Sequence, residues 1–150
     1  MMSEAEVQVF VYGTLKPGEK YHEAYCGGTV LAAAAAIAPG QLFHLPRQGY
    51  PALAPGRDRV QGILLSFASP TILARLDSLE DYDPQAAPEQ NFYQRERCEV
   101  RSPDGSPLGE VWLYRMALAQ IQALGGVYLP AGVWSGRDRE TQQHREHRLS

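Results

Sequence analysis

Val7-Gln8-Val9-Phe10-Val11-Tyr12-Gly13-Thr14-Leu15-Lys16-Pro17-Gly18 is the stretch on which the fold turns. Val7 to Tyr12 is apolar, β-branched and aromatic, which marks a buried first strand. Gly13 ends it, and Gly13 to Lys20, with Pro17 and Gly18, forms a loop. A glycine loop after a strand invites comparison with a phosphate loop. That motif needs Lys-Ser/Thr directly after its second glycine. Here Glu19 intervenes before Lys20 and Tyr21 takes the hydroxyl position. A carboxylate there repels phosphate, so a nucleotide site is rejected.

Downstream of that stretch, Tyr21 to Cys26 suits a single helical turn. Thr29 to Ala38 is ambiguous: Ala32 to Ala36 favour helix by propensity. The segment is short, however, and lies between Gly27-Gly28 and Pro39-Gly40, so a strand is expected. Gln41 to Leu45 and Tyr50 to Ala54 read as short strands separated by Pro46 and Gly49. Arg59 to Phe67 reads as another, beginning after a Pro55-Gly56 turn. Ser69 is a suitable N-cap worth about 1 kcal/mol, with Pro70 at the first helical position. Ile72, Leu73, Leu76 and Leu79 then recur at helical spacing. Asp81 to Asn91 is polar and proline-marked, a loop. Phe92 to Arg101 and Leu108 to Met116 are strands joined by the turn Ser102 to Ser106. Ala117 to Leu124 suits a short helix.

The 150 residues fit one domain. Hydrophobic residues make up 44% and the net charge is −3, a mild acidity that argues against nucleic-acid or membrane-surface partners. No apolar run approaches the roughly 20 residues of a membrane span. The acidic start, Ser3-Glu4-Ala5-Glu6, lacks the basic region of a secretory signal, so a cytoplasmic protein is expected. Cys26 and Cys98 are then reduced thiols, and Cys98, inside a strand, is expected to be buried. Residues 137–150 carry Arg137, Arg139, Arg145 and Arg148 against Asp138, Glu140 and Glu146. They read as a solvated tail behind a domain of residues 1–136. His144 and His147 are three apart, a spacing that can bind a metal on a helix, yet no cysteine or carboxylate cluster supports them. Gly-x-Ser-x-Gly is absent from the sequence, so that type of serine hydrolase lacks its nucleophile turn.

Two features carry chemistry. The Gly13 turn presents successive backbone N–H groups, which can cradle a carboxylate or an oxyanion. Glu80 ends the helix Leu76-Asp77-Ser78-Leu79-Glu80, where the macrodipole disfavours negative charge. On the residues alone, a plain tight turn and an exposed acid are the favoured readings.

Taken together, Val9 to Gly18, Tyr50-Pro51-Ala52-Leu53, Leu76 to Glu80 and Tyr93-Gln94-Arg95 resemble the γ-glutamylcyclotransferase-like (AIG2-like) family, in order and rough spacing. The likeness spans about residues 7 to 134 and closes on Gly132-Val133-Trp134. One position departs from the pattern: a glycine commonly follows the family's glutamate, and here it is Asp81. The resemblance implies an α+β fold, a small mixed β-barrel with few short helices. It implies an enzyme in which the substrate's α-amine attacks its own γ-glutamyl carbonyl, giving 5-oxoproline and a free amine. Glu80 would be the general acid–base. Gly13, Thr14 and Leu15 would bind the substrate's carboxylate or oxyanion, and Tyr12, Tyr82 and Tyr93 would wall the site. No metal or organic cofactor is needed for that chemistry, and a small γ-glutamyl compound is the expected partner. A non-catalytic γ-glutamyl-binding protein and a barrel-scaffold interaction protein are the alternatives. The sequence does not reveal the leaving amine or the oligomeric state.

Overall fold

A computed structural model describes residues 6–19, 22, 26, 28–80, 82–87, 91 and 93–135 of the chain. The expected helical turn at Tyr21 to Cys26 lies largely outside these residues. Asp81, Phe92, the tail 137–150 and its His144 and His147 lie outside them altogether.

Among the described residues, six strands and two helices run in the order β1 (Val7–Val11), β2 (Val30–Leu45), β3 (Tyr50–Phe67), α1 (Ile72–Leu79), β4 (Gln94–Arg101), β5 (Pro107–Arg115), α2 (Leu118–Ala123) and β6 (Val127–Tyr128). The hydrogen-bonded order is β3-β1-β5-β4-β2-β6, and β2 also pairs with β3. The pairings therefore return on themselves through five strands, with β6 attached to β2. All are antiparallel except β1 with β5. The α+β class is as expected, and no helix among the described residues is long and apolar enough to cross a membrane.

The alanine run is strand: Ala32 to Ala36 pair with Ser66 to Gly62 of β3. Helix propensity is a weak prior that a ladder this long overrides. The expected breaks at Pro39-Gly40 and Pro55-Gly56 do not divide the strands. Gly40 opposes Asp58 and Gln41 opposes Ala54, so Pro55, Gly56 and Arg57 bulge out of an otherwise continuous register. Both prolines thus sit at or next to the irregularity, where a missing backbone donor is tolerated. Gly40 is required there, since a Cβ would lie 2.5 Å from Leu53 Cδ1.

Helix α1 also begins later than expected. Thr71 is its N-cap, without a side-chain capping bond. Ser69 Oγ instead accepts from the Thr71 N–H at 3.3 Å, outside the helix proper. Ile72 and Leu76 are buried as their spacing requires, and so is Asp77, which the apolar pattern does not flag. Cys26 is buried, whereas Cys98 is only partly so, because it sits in β4 near the exposed Arg97 and Glu99.

Candidate active site

β1 delivers the first wall. Val9, Phe10 and Val11 are buried, and the chain then turns at Gly13, whose carbonyl accepts the Lys16 N–H at 3.0 Å. Gly13 is there for space. A Cβ on it would fall 2.5 Å from Pro51 Cγ and 2.8 Å from Pro51 Cδ. The turn is stapled from outside: Lys16 Nζ donates to the Trp134 carbonyl, and Trp134 Nε1 donates to His44 Nδ1 at 3.0 Å. This gives the terminal Gly132-Val133-Trp134 a job. Trp134 is buried, and Gly132, at φ +73°, passes so close to Arg59 that a Cβ would meet its carbonyl oxygen at 2.2 Å.

α1 delivers the second wall. Its last turn packs through Leu76, and Glu80 follows as the C-cap, its N–H donating to Leu76 O at 2.9 Å. Between these walls lies a cavity of about 330 Å³, lined by residues 10–15, Gln48, Tyr50, Pro51, Leu79, Glu80, Tyr93 and Tyr114. That volume suits a small ligand. Tyr12, Gly13, Thr14, Leu15, Glu80 and Tyr93 are thus brought together, although Leu15 and Glu80 are 65 positions apart in sequence (80 − 15). Tyr82 is not among the lining residues. Its N–H donates to Asp77 O at 2.9 Å, and its ring lies 5.7 Å from the Arg95 guanidinium.

Burial pushes the Glu80 carboxyl up to about 8, and no described ion pair involves it. Desolvation penalises the charged form, and no cation among the described residues pairs with it. The tyrosine hydroxyls are held protonated. Burial raises Tyr12 well above its ordinary value, with Glu80 next in effect. It does the same for Tyr93, where Tyr12 and Glu80 add to it. Tyr12 Oη donates to Tyr114 O at 2.6 Å, and Tyr93 Oη to Pro51 O at 2.6 Å. Tyr114 Oη donates to Asp77 Oδ1 at 2.7 Å, and Arg95 Nε lies 2.9 Å from the same oxygen. The Arg95 guanidinium in turn stacks 4.6 Å from the Trp112 ring. No hydrogen bond among the described residues occupies the N–H groups of Gly13, Thr14 or Leu15. Chemically, the cavity offers a titratable carboxyl poised near neutrality beside free backbone donors. That pairing suits proton transfer next to a developing oxyanion.

Sequence reasoning missed Gln48 and Tyr114 as wall residues. Tyr50 and Pro51 belonged to a quoted motif but had been given no role. Tyr114 carries a signal only in retrospect: it is an alternate residue of β5, on the same face as Trp112.

The comparisons place the chain among known proteins. The family model described as gamma-glutamyl cyclotransferase, AIG2-like, matches residues 9–136. A Niallia circulans protein named gamma-L-glutamyl-butirosin B gamma-glutamyl cyclotransferase is 35% identical over 106 residues, 71% of this chain. The chain spans 65% of that relative's length. Among solved structures, YkqA from Bacillus subtilis shares the fold with TM-score 0.59 at 20% identity, over 86% of this chain and 39% of that one. An AIG2-like protein from Mus musculus gives TM-score 0.58 at 26% identity, over 75% of this chain and 78% of that one. With residues 9–136, most of its length, matched by the family model, the chain belongs to the gamma-glutamyl cyclotransferase, AIG2-like, family.

Proposed function

We propose that the protein cleaves a γ-glutamyl amide by intramolecular aminolysis. The substrate's α-amine attacks its γ-carbonyl carbon and forms the new C–N bond of 5-oxoproline. The bond to the leaving nitrogen then breaks. Nucleophile and carbonyl share one molecule, so the protein's task is to hold the folded conformer and move protons. Glu80, as carboxylate, takes a proton from the α-ammonium and returns it to the leaving amine. The N–H groups of Gly13, Thr14 and Leu15 bind the carbonyl oxygen as it gains charge, or the substrate's α-carboxylate. Tyr12 and Tyr93 supply the apolar wall that keeps Glu80 basic enough for the exchange.

One observation carries this reading: the desolvated Glu80 carboxyl, without an ion pair among the described residues, lines the same cavity as the glycine turn. With a value near 8, Glu80 lies within reach of an α-ammonium, as an efficient acid–base requires. The Niallia circulans relative, by its name, acts on a γ-glutamylated small-molecule amine, which favours that class of leaving group here. The test is a panel of γ-glutamyl amino acids, γ-glutamyl-ε-lysine and γ-glutamylated small amines, followed by mass spectrometry for 5-oxoproline. At least one should yield product in step with the freed amine. A panel that binds without yielding product would sink the proposal.

A further inference from the structure

The hydroxyl protons of Tyr12, Tyr93 and Tyr114, which all line the cavity, are already committed. Tyr12 and Tyr93 bond to backbone carbonyls, and Tyr114 to the Asp77 carboxylate. A carbonyl oxygen cannot donate, so the direction of the first two bonds is fixed by chemistry. The tyrosine oxygens therefore have only lone pairs left to offer. Gln48 adds to this imbalance. It lines the same cavity, and its Oε1 is buried without a hydrogen-bond partner among the described residues. A buried acceptor left unmade is costly and uncommon in a folded protein. Gln48 sits in the tight β2–β3 connection, where the Gly49 N–H donates to Leu45 O at 2.8 Å and Gly49 has φ +79°. Its backbone is thus fixed by the turn. With the Glu80 carboxylate, the Gln48 Oε1 and the lone pairs of Tyr12, Tyr93 and Tyr114 form a set of acceptors, whose complement is a group with several N–H donors: a primary ammonium.

We propose that Gln48 Oε1 is a binding site for the substrate's α-ammonium, holding one N–H while Glu80 takes the proton from another. The inference rests on the γ-glutamyl reading above and adds a binding residue to it. A neutral amide suits the role because it accepts a hydrogen bond without competing for the proton. It can keep the amine oriented after Glu80 has removed its charge.

The experiment is a calorimetric titration of the Glu80→Gln protein, in which turnover is suppressed. It uses two probes, γ-L-glutamylmethylamide and glutaric acid monomethylamide, which lacks only the amine. Glu80→Gln should prefer the amine-bearing probe by at least about 10-fold, as hydrogen bonds to a charged group allow. Adding Gln48→Met should bring that preference below about 3-fold, and Gln48→Glu in its place should restore it. Gln48→Met should melt no lower than its parent, because it removes an unsatisfied acceptor; should it fail to fold, Gln48→Ala gives the same comparison. An undiminished preference in Gln48→Met overturns the role of Gln48 and leaves the γ-glutamyl reading standing. Equal loss of affinity for both probes also overturns it, since Gln48 would then only shape the cavity. If Glu80→Gln binds neither probe, the γ-glutamyl reading and this inference fall together.

Discussion

Asp77 and Glu80 stand three residues apart at the end of one helix, and their surroundings could hardly differ more. Asp77 is buried with partners: the Tyr114 hydroxyl at 2.7 Å and Arg95 Nε at 2.9 Å. Glu80 has neither, and burial pushes its carboxyl up to about 8. The difference separates structure from chemistry within one helical turn. A paired acid holds the helix against β4 and β5. The other acid is desolvated, and its proton is held tightly enough to bring it near the acidity of the ammonium it serves.

The largest expected effect breaks the chemical half of that contrast. Glu80→Gln should lower 5-oxoproline release by about 10²–10⁴, or roughly 2.7–5.4 kcal/mol in the barrier. Affinity for a γ-glutamyl ligand should change far less. Asp77→Asn should affect turnover less than Glu80→Gln does, and the ratio of the two kcat values checks this.

Breaking the structural half should reverse the order. Arg95→Met leaves Asp77 buried without its cation and should cost about 2–3 kcal/mol in urea unfolding, a discount on a fully buried pair because both side chains keep slight exposure. Glu80→Gln should cost nothing on the same scale. Gly13→Ala comes next: its new Cβ would press on Pro51, and overpacking of this kind costs about 1–3 kcal/mol. It should also impair turnover, since the loop amides move with it.

pH sharpens the comparison further. Glu80 binds its proton more tightly folded than unfolded, so its contribution favours the folded state below the ordinary carboxyl value of 4.5. That contribution is lost progressively as pH rises to about 8. Glu80→Gln should therefore gain in melting temperature relative to wild type as pH goes from 5 to 8, and a gap that stays constant would contradict the assigned burial. The smallest effect belongs to the other end of α1. Ser69→Ala should cost under about 0.5 kcal/mol, below the usual worth of an N-cap, because Ser69 caps no helical N–H.

Much of this was legible in the chain. The apolar run before Gly13 announced β1, the resemblance singled out Glu80, and both met in one cavity. What could not be read depended on partners distant in sequence. Asp77 looks like any polar helix residue until Tyr114 and Arg95 are packed over it. Gln48 is an ordinary turn residue until β2 and β3 fold its turn onto the cavity. The alanine run favoured helix by propensity, and its Gly27-Gly28 and Pro39-Gly40 flanks pointed to the strand that the ladder with Gly62 to Ser66 forms. Tyr82 was expected to wall the site on the strength of the resemblance, but its ring lies against the Arg95 guanidinium.

The central claim is that Glu80 moves the proton, and the pH dependence of kcat/KM for 5-oxoproline release tests it most directly. Wild type should show a limb rising with pH to a midpoint near 8, where Glu80 becomes the carboxylate. Glu80→Gln should lose that limb together with about two to four decades of rate. A Glu80→Gln protein that keeps near-wild-type turnover and the same limb would contradict the account.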